Sequence, residues 1–233
     1  MSEKEFINAI KNLNILLTDE QLNSLKIYYN MLIDYNSHTN LTRITEEKEV
    51  YLKHFYDSLT LIKTINLNSQ KLLDVGTGAG FPGLVLKIAF PNLNVTLLDS
   101  LNKRILFLNS VIEKLNLRGI KAIHTRAEEY IINNRESFDI VTSRAVASLN
   151  VLSELCLPFV KLNGYFIPMK ADAAKEIEES KNSIKLLGGI IEDKMIFNLP
   201  NNSAVRTLIK IKKISKTNSK YPRKFNEIKK NPL

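Results

Sequence analysis

The sequence predicts an α/β protein: a parallel sheet with helices on both faces, a helical segment ahead of it and a β-hairpin closing it. Three observations carry this. Apolar runs of strand type at 71–75, 95–99, 120–124, 138–143 and 164–169 alternate with stretches of helical period. The first run empties directly into glycines at alternate positions, Gly76, Gly78 and Gly80. Beyond Gly188-Gly189 the period drops to two, and Val205, Thr207, Ile209 and Ile211 alternate with Arg206, Lys210 and Lys212.

Taken in order, Phe6, Ile10, Leu13 and Leu17 recur at helical spacing over 3–17. Thr18-Asp19-Glu20-Gln21 reads as a capping box, with Thr18 capping the next helix and Gln21 reaching back. That helix puts Leu22, Leu25, Tyr29 and Leu32 on one face, and Asn36 to Thr42 reads as a polar loop. A third helix, starting near Thr45, carries His54, Asp57 and Leu59 toward residue 64. Helices in the sheet region are expected at 82–90, 102–116, 127–134, 149–161 and 171–187, the second with Ile105, Leu108, Ile112 and Leu115 inward. Strands at 190–197 and 204–212 form the closing hairpin. The expected division is a helical subdomain at 1–65, the sheet domain at 66–213 and a basic tail at 214–233.

Composition narrows the class. At 233 residues and 44% hydrophobic, the chain can bury one sizeable core. It has no run of about twenty apolar residues, and Met1-Ser2-Glu3-Lys4-Glu5 lacks the apolar core of a signal peptide. A cytoplasmic protein with no membrane partner is expected. The single Cys156, flanked by Leu155 and Leu157, excludes an internal disulfide and a cysteine metal cluster, and reads as packed. His38, His54 and His124 fall on a loop, a helix and a strand end, so no metal is expected. The charge is localised: from Lys210 onward there are nine basic residues and one acid, a net of +8 within the chain's formal +9. Such a tail is either a phosphate-binding arm or merely solvated.

The glycine turn points to a ligand, because a strand–glycine turn–helix unit lets one approach the backbone closely. A dinucleotide fingerprint would place its third glycine at Phe81. With Asp74 at the strand end, the pattern suits S-adenosylmethionine, which has an ammonium group and no pyrophosphate. The next strand ends in Asp99, about twenty residues on, where a carboxylate accepts ribose hydroxyls in Rossmann-like sites. After the third strand, Ala127-Glu128 can close over an adenine, although on sequence alone Glu128 and Glu129 read slightly better as first-turn acids facing a helix dipole. After the fourth, Arg144 can pair with the methionine carboxylate or a substrate phosphate, or form a plain surface ion pair.

Absences narrow the chemistry. No Asp/Asn-Pro-Pro-Tyr/Phe follows the fourth strand, as amino methylation of adenine or cytosine would need. No Pro-Cys nucleophile serves cytosine C5, and no Lys-Asp-Lys-Glu set serves a ribose hydroxyl. A target with an exposed lone pair, such as guanine N7, needs no base, and in-line positioning supplies most of the catalysis. Two further readings are an NAD-linked oxidoreductase, disfavoured by Phe81 and the hairpin, and a non-catalytic RNA-binding module.

The chain resembles the small-subunit ribosomal RNA methyltransferase G family, also called glucose-inhibited division protein B, along essentially its whole length. The marks are Asn40-Leu41-Thr42, His54-x-x-Asp57-Ser58-Leu59, Leu73 through Gly83, Leu97-Leu98-Asp99-Ser100-x-x-Lys103-Arg104, Arg126-Ala127-Glu128-Glu129, Ser143-Arg144-Ala145 and Lys220-Tyr221-Pro222-Arg223. The resemblance implies a Rossmann-like class I methyltransferase fold and a cytoplasmic enzyme. It implies methyl transfer from S-adenosylmethionine to N7 of one guanine in a decoding-region loop of 16S rRNA. It implies cofactor contacts at Gly76, Phe81, Ala127, Glu128 and Arg144, beside Gly78, Gly80 and Asp99 from the turn and strand. Arg144 is the expected catalytic residue, and Arg144→Ala is expected to cut turnover while leaving the fold intact. Lys103, Arg104, Lys216, Lys220, Arg223 and Lys224 are expected on RNA phosphates, of 16S rRNA or the 30S subunit, with the enzyme a monomer. After Tyr-Pro-Arg the tail departs from the family's Gly-and-Pro pattern, running Lys224-Phe225-Asn226-Glu227-Ile228-Lys229-Lys230.

Overall fold

The helical start follows from its caps. Ser2 and Thr18 each accept the N–H of the third residue of the helix they open, and Glu5 and Gln21 return the bond to the cap's own N–H. These boxes open α1 (Glu3–Lys11) and α2 (Asp19–Thr39). In this computed structural model, which describes residues 1–144 and 146–233, α1 is shorter than its apolar spacing predicts. Asn14 turns left-handed at φ 58° and redirects Leu13 and Ile15 into the core. α2 runs on through the expected loop and stops only at left-handed Asn40. Its buried face is Leu25, Tyr28 and Leu32, with Tyr29 half-buried, and the Tyr28 hydroxyl donates to the Ala79 carbonyl. Ala145, the last residue of the Ser143-Arg144-Ala145 motif, lies outside the described residues.

The third rod is α3 (Glu47–Val50), a π-helical turn (Tyr51–Tyr56), α4 (Asp57–Leu59) and a 3-10 turn (Thr60–Lys63). The π turn has a consequence at the site. The Asp57 N–H bonds to the His54 and Leu52 carbonyls, skipping Lys53, whose carbonyl is left to accept elsewhere.

Seven strands form one sheet in the order β3-β2-β1-β4-β5-β7-β6. They are β1 (Lys71–Val75), β2 (Asn94–Asp99), β3 (Ile120–His124), β4 (Phe138–Arg144), β5 (Val160–Lys170), β6 (Gly189–Asn198) and β7 (Val205–Lys213). β1 to β5 run parallel; β7 enters antiparallel between β5 and β6, which completes the predicted hairpin. The strand order reverses between β1 and β4, so their carboxyl ends open a crevice there. The connecting helices are α5 (Gly83–Ala89), α6 (Asn102–Lys114), α7 (Ala127–Tyr130), α8 (Leu149–Cys156) and α9 (Ala174–Leu186). The helix expected over 149–161 ends early because Pro158 has no N–H to continue it; a short 3-10 turn follows and β5 starts at Val160.

Two apolar clusters cover the sheet. In one, Phe6, Tyr28 and Phe55 of the N-terminal rods pack with Leu84 of α5 and Phe107 of α6. The other gathers Leu152 and Cys156 of α8, Phe159, and from the C-terminal segment Tyr221 and Ile228. The segment expected as an arm thus folds back on α8 and ends in α10 (Phe225–Lys230). No helix among the described residues is long and apolar enough to cross a membrane.

Candidate active site

A cavity of about 440 Å³ lies at the carboxyl ends of β1, β2 and β4. Its floor is the glycine turn, braced from beneath by Asp74. That carboxylate, fully buried, accepts from the Thr77 hydroxyl at 2.7 Å and the Gly83 N–H at 2.8 Å. Burial pushes the Asp74 pKa up to about 6 against the pull of those two hydrogen bonds. Asp74 is therefore a brace behind the turn and is not among the residues that line the cavity, where its strand-end position suggested it would meet an ammonium group. Gly83 serves the close helix–strand approach of the third fingerprint glycine: a Cβ there would lie 2.4 Å from Leu97 Cδ2.

The second strand supplies Asp99, whose side chain is 2% exposed. One oxygen accepts from the Gly78 N–H at 2.9 Å and Arg104 Nη1 at 3.0 Å, the other from the Leu101 N–H at 2.9 Å. A carboxylate offers about four acceptor positions, so one remains for a ligand hydroxyl.

The far wall is made by residues distant in sequence. Phe81 and His54 stack with centroids 4.2 Å apart and planes 15° apart, and Arg144 Cζ lies 5.2 Å from the Phe81 ring. Arg144 donates from Nη1 to the Asp57 carboxylate and to the Lys53 carbonyl freed by the π turn, each at 2.9 Å. Its Nη2 donates to His54 Nδ1 at 3.1 Å. The same Nδ1 lies 3.2 Å from the Lys53 carbonyl, and Nε2 lies 3.0 Å from Thr42 Oγ1, so both ring nitrogens are engaged within the wall. Burial first, and then Arg144, pull the His54 pKa down to about 3, so the ring is neutral. The other Asp57 oxygen accepts from Arg206 Nε at 2.8 Å. Beyond this wall lies a second cavity of about 400 Å³ that shares His54 and Arg144 and is lined also by Lys53, Met169, Lys170 and Arg206.

This geometry can hold a nucleoside on one side of a cationic, aromatic wall and an acceptor on the other. Comparison with known proteins supplies the family. A sequence model described as rRNA small subunit methyltransferase G matches residues 21–203. The chain is 52% identical, over 232 residues, to the protein of Lachnoclostridium phytofermentans named Ribosomal RNA small subunit methyltransferase G, covering 98% of this chain and 96% of that one. The protein of the same name from Bacillus subtilis is 48% identical over 237 residues, covering 100% and 99%. The chain belongs to the rRNA small subunit methyltransferase G family. Its fold is similar to solved methyltransferases. A SAM-dependent methyltransferase from Aquifex aeolicus gives a TM-score of 0.55 at 15% identity, over 74% of this chain and 97% of that one. M. jannaschii TYW2 in complex with AdoMet gives 0.54 at 16%, over 64% and 72%.

S-adenosylmethionine is the cofactor of this methyltransferase family, and the first cavity fits it. Gly78 is bare toward it, since a Cβ there would meet nothing within 4 Å. Asp99 keeps a free acceptor position, and Phe81, Ala127 and Glu128 line the same space. Among the described residues no group of three or more His, Cys, Asp or Glu is placed to hold a metal ion.

Of the residues singled out from sequence, Gly76, Gly78, Phe81, Asp99, Ala127, Glu128 and Arg144 all line this cavity. Gly80 does not. It turns toward the core at φ 108°, where a Cβ would come within 2.7 Å of the Tyr28 hydroxyl, so tight packing explains this glycine. Arg104, expected on RNA, is tied to Asp99 inside the cavity wall. Arg223, also expected on RNA, is turned inward onto Glu154, whose side chain is 0% exposed, with Nη2 at 2.6 Å and Nε at 2.9 Å. An unpaired carboxylate there would be too costly to bury. Lys216, Lys220 and Lys224 are exposed, and exposed Lys103 donates to the Thr39 carbonyl at the end of α2.

The sequence reading did not assign His54, Asp57, Glu154, Arg206 or Phe225 to the site. Three carried a signal: His54 and Asp57 lie in a motif already quoted, and Glu154 is an acid inside the apolar run Leu152-Ser153-Glu154-Leu155-Cys156. Arg206 looks like an ordinary polar residue of an alternating strand, and only the fold takes it to Asp57.

Proposed function

We propose that this protein transfers a methyl group from S-adenosylmethionine to N7 of a guanine in a decoding-region loop of 16S rRNA. In this reading it acts in the cytoplasm, as a monomer, on the free RNA or the 30S subunit. The observation that supports it most is the pair of cavities divided by the Arg144–His54–Phe81 wall, in a chain of this family. Gly76, Gly78, Asp99, Ala127 and Glu128 would hold the cofactor, and Phe81 and Arg144 would border its reactive end. The guanine, splayed out of its loop, would enter from the second cavity, which is lined by Lys53, Lys170 and Arg206 together with the acids Asp57, Asp172 and Glu176.

S-adenosylmethionine supplies, when bound, a methyl group on a sulfonium, ready for in-line transfer to a lone pair. The residues at the junction suit an acceptor that needs no deprotonation. His54 is neutral with Nδ1 against Arg144 and the Lys53 carbonyl and Nε2 against Thr42, and Asp57 is held between two arginines. Neither is free to take a proton from substrate. Their work is orientation: they fix Arg144 and Phe81, so that the approach of the two reactants is set before they meet. Lys103, Lys216, Lys220 and Lys224, all exposed, would engage phosphates along the RNA.

The test is incubation with methyl-labelled S-adenosylmethionine and unmodified 30S subunits or free 16S rRNA, followed by borohydride–aniline cleavage at N7-methylguanine. One cut in the decoding-region loop is expected. Label at another base or atom would overturn the target, and the favoured substrate tells when the enzyme acts.

A further inference from the structure

The C-terminal segment, read from sequence as a basic arm, reaches the nucleoside cavity with an aromatic ring. Lys213, fully buried at the end of β7, donates to the Leu157 carbonyl at 3.0 Å and the Leu187 carbonyl at 3.1 Å, and contacts Thr217. The Thr217 N–H then bonds to Glu136 at 3.2 Å, and Arg135 donates to the Tyr221 carbonyl at 2.5 Å. Arg223 forks onto buried Glu154 of α8, and fully buried Ile228 seats α10. Between those two anchors lies Phe225. It is half-buried, packs on the same apolar cluster as Ala127 and Leu155, and lines the cavity beside them. Phe81 lies in the opposite cluster, across the sheet. The cavity thus has an aromatic ring on each side, and only the Phe81 side is accounted for by the methyl-transfer wall.

We propose that Phe225 is a cofactor-contact residue, carried by the docked C-terminal strap to the base end of the cavity, where its ring packs on the adenine. This rests on the reading that Ala127 and Glu128 mark the base end. Ala127, Leu155 and Phe225 come from α7, α8 and α10, of which α7 and α10 each pack on α8, so the ring is held on an anchored helix and loses little freedom on contact. Adenine offers a broad π face, and a ring packed against it contributes to affinity whatever the edge contacts are. The strap and the nucleoside then stabilise each other, because whatever favours the docked strap favours the bound base by the same factor.

Calorimetric titration with S-adenosylhomocysteine tests this on the full chain. Phe225→Leu keeps an apolar side chain for docking but removes the π face, and is expected to weaken binding about five- to tenfold. Phe225→Trp should stay within about twofold of the parent, and Asn226→Ala, at an exposed neighbour, should not change. Strap docking is read separately by trypsin cleavage at Lys224, Lys229 and Lys230. Ligand should slow cleavage in the parent, and should slow it less in Phe225→Leu, with equal rates for the two proteins without ligand. Parent-like affinity in Phe225→Leu, or ligand-independent cleavage of the parent, overturns the contact. A parent that binds no S-adenosylhomocysteine overturns the cavity assignment itself, which is a different failure.

Discussion

Asp57 joins the site to the stability of the fold, and Asp57→Asn exposes the connection. Its side chain is 2% exposed and divides its oxygens between Arg144 at 2.9 Å and Arg206 at 2.8 Å. Opposite unit charges about 4 Å apart attract by about 4 kcal/mol at an effective dielectric near 20. The two arginine side chains are only 13% and 18% exposed, so solvent screens them weakly. The amide keeps one acceptor oxygen but turns an NH2 group toward a guanidinium, so an attraction becomes a contact between two donors. Breaking a buried pair from one side costs roughly 3–5 kcal/mol. The lower end, about 3 kcal/mol, applies because Arg144 keeps the Lys53 carbonyl and Arg206 keeps the Val205 carbonyl. For a chain of 233 residues that is a fall in Tm of roughly 6–12 °C. Thermal unfolding of the parent, Asp57→Asn, Arg144→Met and the double variant completes the cycle. A coupling of about 1.5–3 kcal/mol is expected for this charged hydrogen bond. Additivity within about 0.5 kcal/mol would refute the reasoning, and with it the rigid wall between the cavities. The same geometry revises the expectation drawn from sequence that Arg144→Ala leaves the fold intact, since it strands a buried carboxylate on Arg206 alone.

Two glycines give opposite outcomes on the same substitution. Gly83→Ala should destabilise by roughly 1–3 kcal/mol through overpacking against Leu97 and Asp74. Gly78→Ala meets nothing and costs only about 1–2 kcal/mol for its left-handed backbone, yet should weaken S-adenosylhomocysteine binding at least about tenfold by placing a methyl in the cavity. Equal effects of the two on binding and melting would show that the turn is not organised this way. Acid stability gives a third check. His54 falls from 6.5 to about 3 on folding, so below pH 6.5 the unfolded chain binds a proton that the fold refuses, and stability drops as pH falls. Asp74 rises from 3.8 to about 6, so between those values the fold holds the extra proton and stability rises as pH falls. The two slopes oppose each other from about pH 6 to 4. His54→Gln should unmask the second, gaining up to about 1.4 kcal/mol per pH unit relative to the parent on acidification across that window. Urea unfolding at pH 4, 5 and 6 measures it, and parallel profiles for the two proteins would remove His54 from the account.

Some of the fold was legible because it is local. Alternating strand and helix periods, the capping box at Thr18 and the glycine turn each depend on residues within a few positions of one another, so their physics is complete in the sequence. Gly78, Asp99, Ala127 and Arg144 were legible for a related reason: strand ends of a parallel sheet converge on one edge whatever the details of packing. Local reasoning failed where a neighbour in sequence was outvoted. The polar stretch 36–39 stayed helical because α2 had no left-handed residue to stop it before Asn40. Gly80 went to the core because Tyr28, over fifty residues earlier, packs where its side chain would be.

What only the tertiary structure decided is the pairing of charges. Arg104, Arg144, Arg206 and Arg223 all read as candidates for phosphate or as solvated polar residues, because an arginine's sequence neighbours do not reveal its partner. Folding places buried Asp99, Asp57 and Glu154 against them, and a carboxylate out of water must be matched by a cation within hydrogen-bond reach. That requirement fixed four arginines inside the protein, turned the basic tail into a docked strap, and left the exposed lysines as the charge that faces outward.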